Sequence, residues 1–277
     1  MKYKIVVDSS SNLSNNYIKD PNIGFQVIPL TLRINNVDYV DNEKLDVKQM
    51  LSELNKTKIK PTSSCPSPQA FADSYADAEN IIVITISSKL SGVFNSAFIG
   101  GMDINNHKVH VIDSKATAGN LILLADKAYE LMKQDLEFEE ICTKLEEYNK
   151  TLNLFFVLDK FDNLVRNGRM SKLVAFVATS LAIKPVCIAE NGEIKVYKKL
   201  RTLKMALKGM VSEISNLVTG QDLSQKTCIV CAIEGEDVGP LVKKLIEEEY
   251  NFKEVRLVYN RGLCAFYALE NGVIVSF

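Results

Sequence analysis

The sequence lacks the motifs on which the commonest hydrolases and nucleotide-binding enzymes depend. It has only two histidines, His107 and His110, and both fall in or just before a predicted strand. No G-x-S-x-G motif is present, so a serine nucleophile would have no evident base. The phosphate-binding motifs G-x-x-x-x-G-K-S/T and G-x-G-x-x-G are absent, as is any cluster of residues with metal-ligand spacing. These absences favour binding over catalysis and predict neither a metal ion nor a cofactor.

Long apolar runs and a cysteine framework are absent as well. No run approaches the ~18 residues that a membrane-spanning helix needs, and the apolar stretch after Met1 is too short for a signal peptide. The six cysteines are scattered and, without an export signal, are expected to be reduced thiols. Cys228 and Cys231 have metal-like spacing, but residues three apart on a strand point to opposite faces. We therefore expect a cytoplasmic protein with no membrane span.

An excess of positive charge is the third absence. The chain has 33 basic and 34 acidic residues, a formal net charge of -1, which argues against a dedicated nucleic-acid-binding protein. Its 47% apolar and 24% charged residues are typical of a globular protein. At 277 residues the chain is long enough for two domains with a sizeable core.

The first half of the chain repeats one pattern. An apolar strand, a polar turn and a helix follow one another four times, which is typical of a parallel sheet with helices on its faces. The polar turns after three of the strands are Asp8–Ser11, Ser87–Ser91 and Asp113–Ser114. Ligands bind beyond the carboxyl ends of the strands in such sheets. We therefore expect a site at this edge.

The pattern changes after Leu152. A strand, a short helix ending at Asn167-Gly168 and an apolar helix over Ser171–Leu181 come first. Two strands then flank Glu190–Glu193, whose Asn-Gly pair predicts a hairpin turn. The predicted fold class is α/β, with an N-terminal, mostly parallel sheet that has helices on both faces and a C-terminal mixed sheet that has helices on one face. We place the two domains at 1–150 and 151–277.

Hydroxyl groups are concentrated in two segments that lead into helices. Thr62, Ser63 and Ser64 are predicted to lie in a loop before Ser67-Pro68, an N-cap followed by proline at the first helical position. A second segment, Ser87–Gly92, follows an apolar strand and opens another helix. Two helix entrances with free N–H groups could hold an oxygen anion. Ordinary helix capping is the alternative explanation for either segment taken alone.

Three arginines stand at predicted helix boundaries: Arg166, Arg169 and Arg201. They form either surface salt bridges, which contribute little to stability, or contacts to an anion or a partner. The residues by themselves thus leave two hypotheses open. One is a protein that binds a carboxylate or phosphate ligand, and the other is a small-molecule enzyme, such as a hydrolase that uses Ser63 or Ser91.

Several short motifs occur in an order that is more specific than any one of them. The segments are Val7-Asp8-Ser9, Ser63–Ser67, Ile86–Ala97, Val111–Ser114, Asn167–Ser171 and Ile183–Thr202. Together they resemble the DegV family, bacterial fatty-acid-binding proteins that include the carrier subunits of fatty acid kinase. Ser63–Ser67 corresponds to the family's T-S-Q-P-S, and Ile86–Ala97 to its I-S-S-x-L-S-G-T-x-x-S-A. The resemblance covers the whole chain.

This resemblance implies a two-domain α/β protein that holds one long-chain fatty acid in a buried tunnel between the domains. The protein would be a carrier without catalytic activity of its own, and its partner would be the catalytic subunit of a fatty acid kinase. By the same resemblance Ser63 and Ser91 bind the ligand carboxylate, and Arg169 and Arg201 contact the partner or an anion. Further residues expected near the carboxylate are Thr62, Ser64, Gly92 and Tyr267.

The chain departs from the family pattern in two places. Cys65 stands where the family has glutamine, which removes two hydrogen-bond donors. Many relatives carry H-x-G-P-G near the C-terminus, whereas this chain has Arg261–Tyr267 and no histidine there. In kinase-linked members that histidine lies near the carboxylate. The resemblance therefore implies fatty-acid binding more directly than a kinase partner, and Tyr267 is the residue expected to take the histidine's place.

Overall fold

The computed structural model describes residues 1–102, 107–170 and 183–277. The predicted helix over Ser171–Leu181 lies outside these residues. The strands, numbered along the chain, are β1 (Tyr3–Asp8), β2 (Ile23–Ile28), β3 (Thr31–Ile34), β4 (Val37–Val40), β5 (Thr62–Ser64), β6 (Asn80–Thr85), β7 (Lys108–Asp113), β8 (Leu154–Val157), β9 (Lys184–Glu190), β10 (Glu193–Leu200), β11 (Thr227–Ala232), β12 (Glu254–Tyr259) and β13 (Val273–Ser276).

The helices of the described residues are α1 (Val47–Lys56), α2 (Pro68–Tyr75), α3 (Val93–Gly101), α4 (Gly119–Met132), α5 (Phe138–Thr151), α6 (Asp162–Arg166), α7 (Leu203–Ser212), α8 (Ile214–Leu217), α9 (Val238–Glu249) and α10 (Gly262–Ala268). Two 3-10 turns are present among these residues, Ser9–Ser11, which follows β1, and Leu223–Gln225, which precedes β11. None of these helices is long and apolar enough to cross a membrane.

The first sheet has four parallel strands in the order β2-β1-β6-β7. Because side chains alternate along a strand, Ile5 and Val7 belong to the apolar cluster that includes α4, whereas Val6 belongs to the cluster that includes α2 and α3. The predicted parallel sheet with helices on both faces is thus confirmed. The ordering of its strands brings the polar turns after β1, β6 and β7 to one edge.

The second sheet has six strands in the order β10-β9-β8-β13-β11-β12, and among these only β11 and β12 pair in parallel. Helices α7 and α9 cover one face, where Cys228 is buried. The opposite face, which carries Phe156 and Cys231, packs on α4. The prediction of a mixed sheet is confirmed, as is the placement of Cys228 and Cys231 on opposite faces.

A third, three-stranded antiparallel sheet has the order β4-β3-β5. The predicted hairpin turns at Asn35 and Asn36, whose φ angles of 52° and 63° suit a tight turn. The prediction of a loop over the hydroxyl run was wrong, because Thr62–Ser64 forms β5 and pairs with β3. The backbone groups of this run are satisfied by a strand that is distant in sequence, which no local pattern shows.

Helix α10 was not predicted from the sequence, and it joins the two halves of the chain. It contacts α1, β3 and the 3-10 turn after β1. Its first two amides, those of Gly262 and Leu263, each donate a hydrogen bond to the Asp41 carboxylate at 2.8 Å. An anion at this position complements the free N–H groups of a helix start. The C-terminal part of the chain is thereby held against the N-terminal sheet.

Candidate functional site

A cavity lies between the carboxyl edge of the first sheet and the inner face of the second sheet. Its empty space, including the part that is open to solvent, is about 830 Å³. The apolar part of the wall consists of Leu30, Ile86, Leu90, Ala116, Leu154, Phe156, Leu158, Leu164, Ala189, Ile194, Leu263, Ala268 and Ile274. Such a wall suits an extended hydrocarbon chain, because it offers that chain burial without unpaired polar groups.

The second sheet supplies the long apolar side of this cavity. Leu154 and Phe156 alternate along β8 and therefore point to the same face. Ile274 on β13 pairs directly with Phe156, which extends the apolar surface across the sheet. The continuous apolar run of β8 identifies a strand that is buried on both faces, and Leu154 and Phe156 share one of them. The partners on β13 could not be identified from the sequence, because their register is a property of the fold.

Two hydroxyl groups from opposite ends of the chain meet in the wall. The Ser63 Oγ lies 2.8 Å from the Tyr267 Oη, and both residues line the cavity. Ser63 faces inward because it lies opposite the fully buried Leu32 in the pairing of β5 with β3. Tyr267 is held by α10. The structure therefore brings together two of the residues that were predicted from sequence.

Ser91 reaches the same cavity from the turn that follows β6. Its backbone amide donates to the Ser87 carbonyl oxygen at 3.1 Å, and Gly92 caps the start of α3 immediately after it. Ser91 is half-buried and lines the cavity. The N-terminus of α3 adds the partial positive charge of its free N–H groups on this side. The wall near Ser91 is thus suited to an anionic or polar group.

The remaining predicted residues have mixed positions. Thr62 and Ser64 are exposed and flank Ser63 on the outward face of β5, and Gly92 lies beside the Cys65 thiol. None of these three residues is among the described residues of the wall. Their predicted role near a carboxylate remains a prediction.

The two arginines singled out from the sequence occupy different surroundings. Arg169 lines the cavity and donates from Nε to the Leu90 carbonyl oxygen at 3.2 Å, with a further hydrogen bond to the Asn167 carbonyl oxygen. Arg201 is exposed just before α7 and is not among the described lining residues. Arg169 therefore belongs to the cavity wall, whereas Arg201 belongs to the outer surface.

Two buried carboxyl groups support the sheet edge beneath the cavity. Asp8 accepts hydrogen bonds from the backbone amides of Ser10 at 2.8 Å and Ile86 at 2.6 Å. Burial raises the pKa of Asp8 to about 6, and the neighbouring Asp41 carboxylate adds to the rise. Burial also raises the pKa of Asp41. Since Ile86 lines the cavity, Asp8 holds one part of the wall in place, a role that its sequence position did not indicate.

The geometry offers little support for nucleophilic hydrolysis. Neither histidine lines the cavity, since His107 contacts the Ala78 carbonyl oxygen and His110 lies 3.2 Å from Glu146. Among residues 1–102, 107–170 and 183–277, no group of three His, Cys, Asp or Glu residues could hold a metal ion. The polar side chains at the cavity include hydroxyl groups and the guanidinium of Arg169, which can donate hydrogen bonds to a ligand and orient it, and the Glu193 carboxylate, which accepts them.

The fold and the cavity together define a class: an α/β protein that encloses an apolar cavity with hydroxyl groups grouped in its wall. The chain belongs to the DegV family. A family model described as "Uncharacterised protein, DegV family" matches residues 2–273. A DegV domain-containing protein of Streptococcus pyogenes serotype M1 is 33% identical over 284 residues, covering 100% of this chain and 99% of the relative.

Solved structures of similar proteins extend this comparison. The Streptococcus pneumoniae fatty acid kinase (Fak) B3 protein, loaded with linoleic acid, has a TM-score of 0.92 and 31% identity over 100% of this chain and 99% of its own. A DegV family protein from Ruminococcus gnavus, with vaccenic acid, has a TM-score of 0.90 and 29% identity over the same shares of the two chains. The family resemblance found in the sequence motifs is confirmed.

Proposed function

We propose that this protein binds one long-chain fatty acid in the cavity, with the acyl chain along the apolar wall and the carboxylate at Ser63, Ser91 and Tyr267. The observation that carries the proposal is a cavity whose wall is mainly apolar and includes the hydroxyl groups of these three residues. Arg169 and Glu193 are the charged residues among the described lining residues. The similar proteins with linoleic and vaccenic acid support the choice of ligand.

The two parts of the wall have different energetic roles. Burying ~15 methylene groups at ~0.8 kcal/mol each gives a gross gain of roughly 12 kcal/mol. Association and ordering remove several kcal/mol or more of that gain. The hydroxyl groups determine which end of the ligand lies where, because an ionised carboxylate needs donors that the apolar wall does not offer. Affinity thus comes from the chain and orientation from the head group.

Mass spectrometry of an organic extract of the purified protein tests this proposal. We expect a fatty acid at close to one equivalent. Delipidated protein should bind palmitate or oleate in calorimetric titrations and should bind the methyl ester, which lacks the charge, more weakly. A protein that is purified empty and ignores both fatty acids would contradict the proposed function.

We further infer that the protein is a cytoplasmic carrier, without catalysis of its own, that presents the carboxylate to the catalytic subunit of a fatty acid kinase. The similarity to the Fak B3 protein supports this inference. Arg169 in the wall and Arg201 on the outer surface are the proposed contacts to the partner or to the anion it acts on, since guanidinium groups suit carboxylate and phosphate.

A kinase assay with the purified catalytic subunit and oleate-loaded carrier tests the partner contact. Arg201→Ala should lower the rate of acyl phosphorylation and leave oleate binding unchanged. Lys204→Ala is the matched control, because Lys204 is also an exposed cation at the start of α7. Equal rates for the native carrier and the Arg201→Ala variant would remove Arg201 from the proposed contact.

A further inference from the structure

A further hydroxyl group and a thiol meet in the cavity wall. Thr117, in the turn between β7 and α4, and Cys264, on α10, both line the cavity. The Thr117 Oγ1 lies 3.9 Å from the Cys264 Sγ. Neither residue belongs to the proposed head-group site, which consists of Ser63, Ser91 and Tyr267. The wall therefore offers a ligand a second polar contact.

The thiol of this pair already donates its proton to the backbone. The Cys264 Sγ donates a hydrogen bond to the Ser10 carbonyl oxygen at 3.2 Å, and burial raises the pKa of the thiol, so the proton stays on the sulfur. The Thr117 hydroxyl is therefore the donor in the contact with Cys264, and sulfur is a weak acceptor. A ligand oxygen can replace this contact at little cost, and the Thr117 oxygen has lone pairs that can accept a proton from the ligand.

The position of Cys264 on α10 places this pair close to the head-group site. Cys264 and Tyr267 are three residues apart, so their side chains share one face of the helix. At ~1.5 Å of rise per residue they are separated by about 4.5 Å along the helix axis. That distance corresponds to only the first few carbon atoms of an extended acyl chain.

The position of Thr117 places the pair next to the apolar wall of the second sheet. A Cβ atom on Gly119, two residues further along the chain, would lie 2.7 Å from Ser276 of β13, so the start of α4 is in close contact with that strand. Ser276 pairs with Leu154 of β8, which lines the cavity. An acyl chain that leaves the head-group site and runs along β8 therefore passes Thr117 near its carboxyl end.

We propose that Thr117, with Cys264 beside it, is a second polar subsite that binds an oxygen substituent on the acyl chain close to the carboxylate. The ligands of the cavity then include fatty acids with a hydroxyl group near the carboxyl end. This inference rests on the proposed function. A hydroxyl group against the apolar wall is buried without a partner, which is unfavourable, whereas at Thr117 it finds both a donor and an acceptor. Unsubstituted fatty acids fit as well, because Thr117 then keeps its contact with Cys264.

Calorimetric titration of the delipidated protein with four ligands tests this subsite. The ligands are palmitate, the two enantiomers of β-hydroxypalmitate, and ω-hydroxypalmitate, whose hydroxyl group is at the far end of the chain. Because Thr117 lies on one side of the bound chain, one enantiomer of β-hydroxypalmitate should bind the native protein about as tightly as palmitate. The other enantiomer should bind roughly 5- to 100-fold more weakly, as expected for one buried hydroxyl group without a partner.

Three variants test whether Thr117 causes this preference. In Thr117→Val, which keeps the shape of the side chain, the dissociation constant of the favoured enantiomer relative to that of palmitate should rise roughly 5- to 100-fold. Thr117→Ser keeps the hydroxyl group and should keep the native ratio. Ser276→Ala is the matched control, because the Ser276 Oγ is buried near the start of α4 and has no hydrogen-bond partner among the described residues. The ratio for ω-hydroxypalmitate should be the same in the native protein and in all three variants.

Either of two results would overturn the subsite while palmitate still binds. One is that the native protein binds both enantiomers equally and more weakly than palmitate, a result that needs no variant. The other is a ratio for the favoured enantiomer that is unchanged in Thr117→Val or that changes equally in Ser276→Ala. A native protein that binds neither palmitate nor oleate contradicts the proposed function itself, and the subsite with it.

Discussion

Three hydroxyl residues in the cavity wall are held by three separate parts of the chain. Ser63 lies on β5, Ser91 follows β6 and Tyr267 lies on α10. Ser63 and Tyr267 satisfy each other across 2.8 Å, so the donors are already oriented in the structure. When a ligand carboxylate binds, the hydroxyl groups only have to rotate so that their protons point to it, and the backbone does not have to move. Pre-organised donors of this kind lower the ordering cost of binding.

Alanine substitutions at Ser63 and Ser91 should weaken oleate binding. A hydrogen bond to a charged group contributes ~1.5–3 kcal/mol, so each variant should lose roughly 10- to 150-fold in affinity. The double variant should lose less than the product, because both groups hold one carboxylate. Ser64→Ala is the control, since Ser64 is the exposed neighbour on the same strand. If calorimetric titration gave affinities within twofold of the native value for all variants, the carboxylate would bind at another place in the cavity.

The buried Asp8 should make stability depend on pH in an unusual direction. Because burial raises its pKa from 3.8 to about 6, the folded protein holds this proton more tightly than the unfolded chain does. The contribution to stability is therefore fully present below pH 3.8 and is lost as pH rises through 6. At 1.36 kcal/mol per pKa unit, the loss is about 3 kcal/mol.

Urea unfolding between roughly pH 3 and pH 7 checks this dependence, because this range extends about one unit beyond both pKa values. Asp8→Asn should be less stable overall, because its amide opposes a backbone N–H, and it should lack the decline in stability that Asp8 causes. Asp38→Asn is a control in which the pH dependence has the opposite sign. The hydrogen bond from Arg33 lowers the pKa of Asp38, so the stability that Asp38 contributes is lost as pH falls. Equal pH slopes for the native protein and Asp8→Asn would contradict the assignment.

At the level of elements, the turn before α4 contains a strained residue. Ala118 has φ 52° and ψ -118°, a conformation that suits glycine, and it is fully buried. Its amide donates to the Ser10 carbonyl oxygen at 3.0 Å, which ties α4 to the turn after β1. The next residue, Gly119, lies so close to the second sheet that a Cβ atom would be 2.7 Å from Ser276. The backbone conformation at position 118 therefore favours glycine although alanine is present, whereas the packing at position 119 leaves no space for a Cβ atom.

Exchanging alanine and glycine at these positions should have opposite effects on stability. Ala118→Gly should raise the free energy of unfolding by about 1 kcal/mol, because relief of backbone strain exceeds the loss of one buried methyl group. Gly119→Ala should lower it by about 1–3 kcal/mol through overpacking against Ser276 and Ile229. Thermal and urea unfolding of the two variants decides this. A destabilised Ala118→Gly variant would show that the strain is absent.

At the scale of the whole molecule, α4 belongs to both halves. It contacts β1 and β6 of the first sheet and β11 and β13 of the second. Asp126 on α4 pairs with Arg256 on β12, and Tyr17 donates to Asp126 at 2.6 Å, so a polar network follows the same boundary. One apolar core thus spans the two sheets. The division into domains at residue 150 remains a prediction that we retain as a proposal about chain organisation.

The fragments 1–150 and 151–277 should not fold when expressed separately. Fragment 1–150 would expose the face of α4 that packs on the second sheet and would lose α10, which packs on α1. For each fragment alone we expect circular dichroism spectra and amide-proton NMR dispersion that are typical of unfolded or molten chains. Mixing the two fragments should give native-like signals, and the whole chain should unfold in one transition. Two resolved transitions, or a folded fragment 1–150, would show independent domains.

The sequence by itself determined the elements that depend on neighbours along the chain. The alternating strands, the helices with their caps, and the turns at Asn35-Asn36 and Asn191-Gly192 all follow from local conformational preference. The order of strands and helices was sufficient to predict a parallel sheet, and the polar turns at its carboxyl edge followed from that prediction. Family motifs directed attention to Ser63 and Ser91, both of which line the cavity.

Only the tertiary structure decided which distant groups meet. The contact between Ser63 and Tyr267 joins residues 204 positions apart, and Asp41 caps a helix that begins 221 residues later. The pairing of β5 with β3 and the hydrogen bond from Ser87 to Gly192 are likewise long-range. Such contacts form because buried hydrogen-bonding groups require partners wherever the fold brings them. Local sequence specifies which groups need a partner, and the packing of the two sheets determines which partner each one finds.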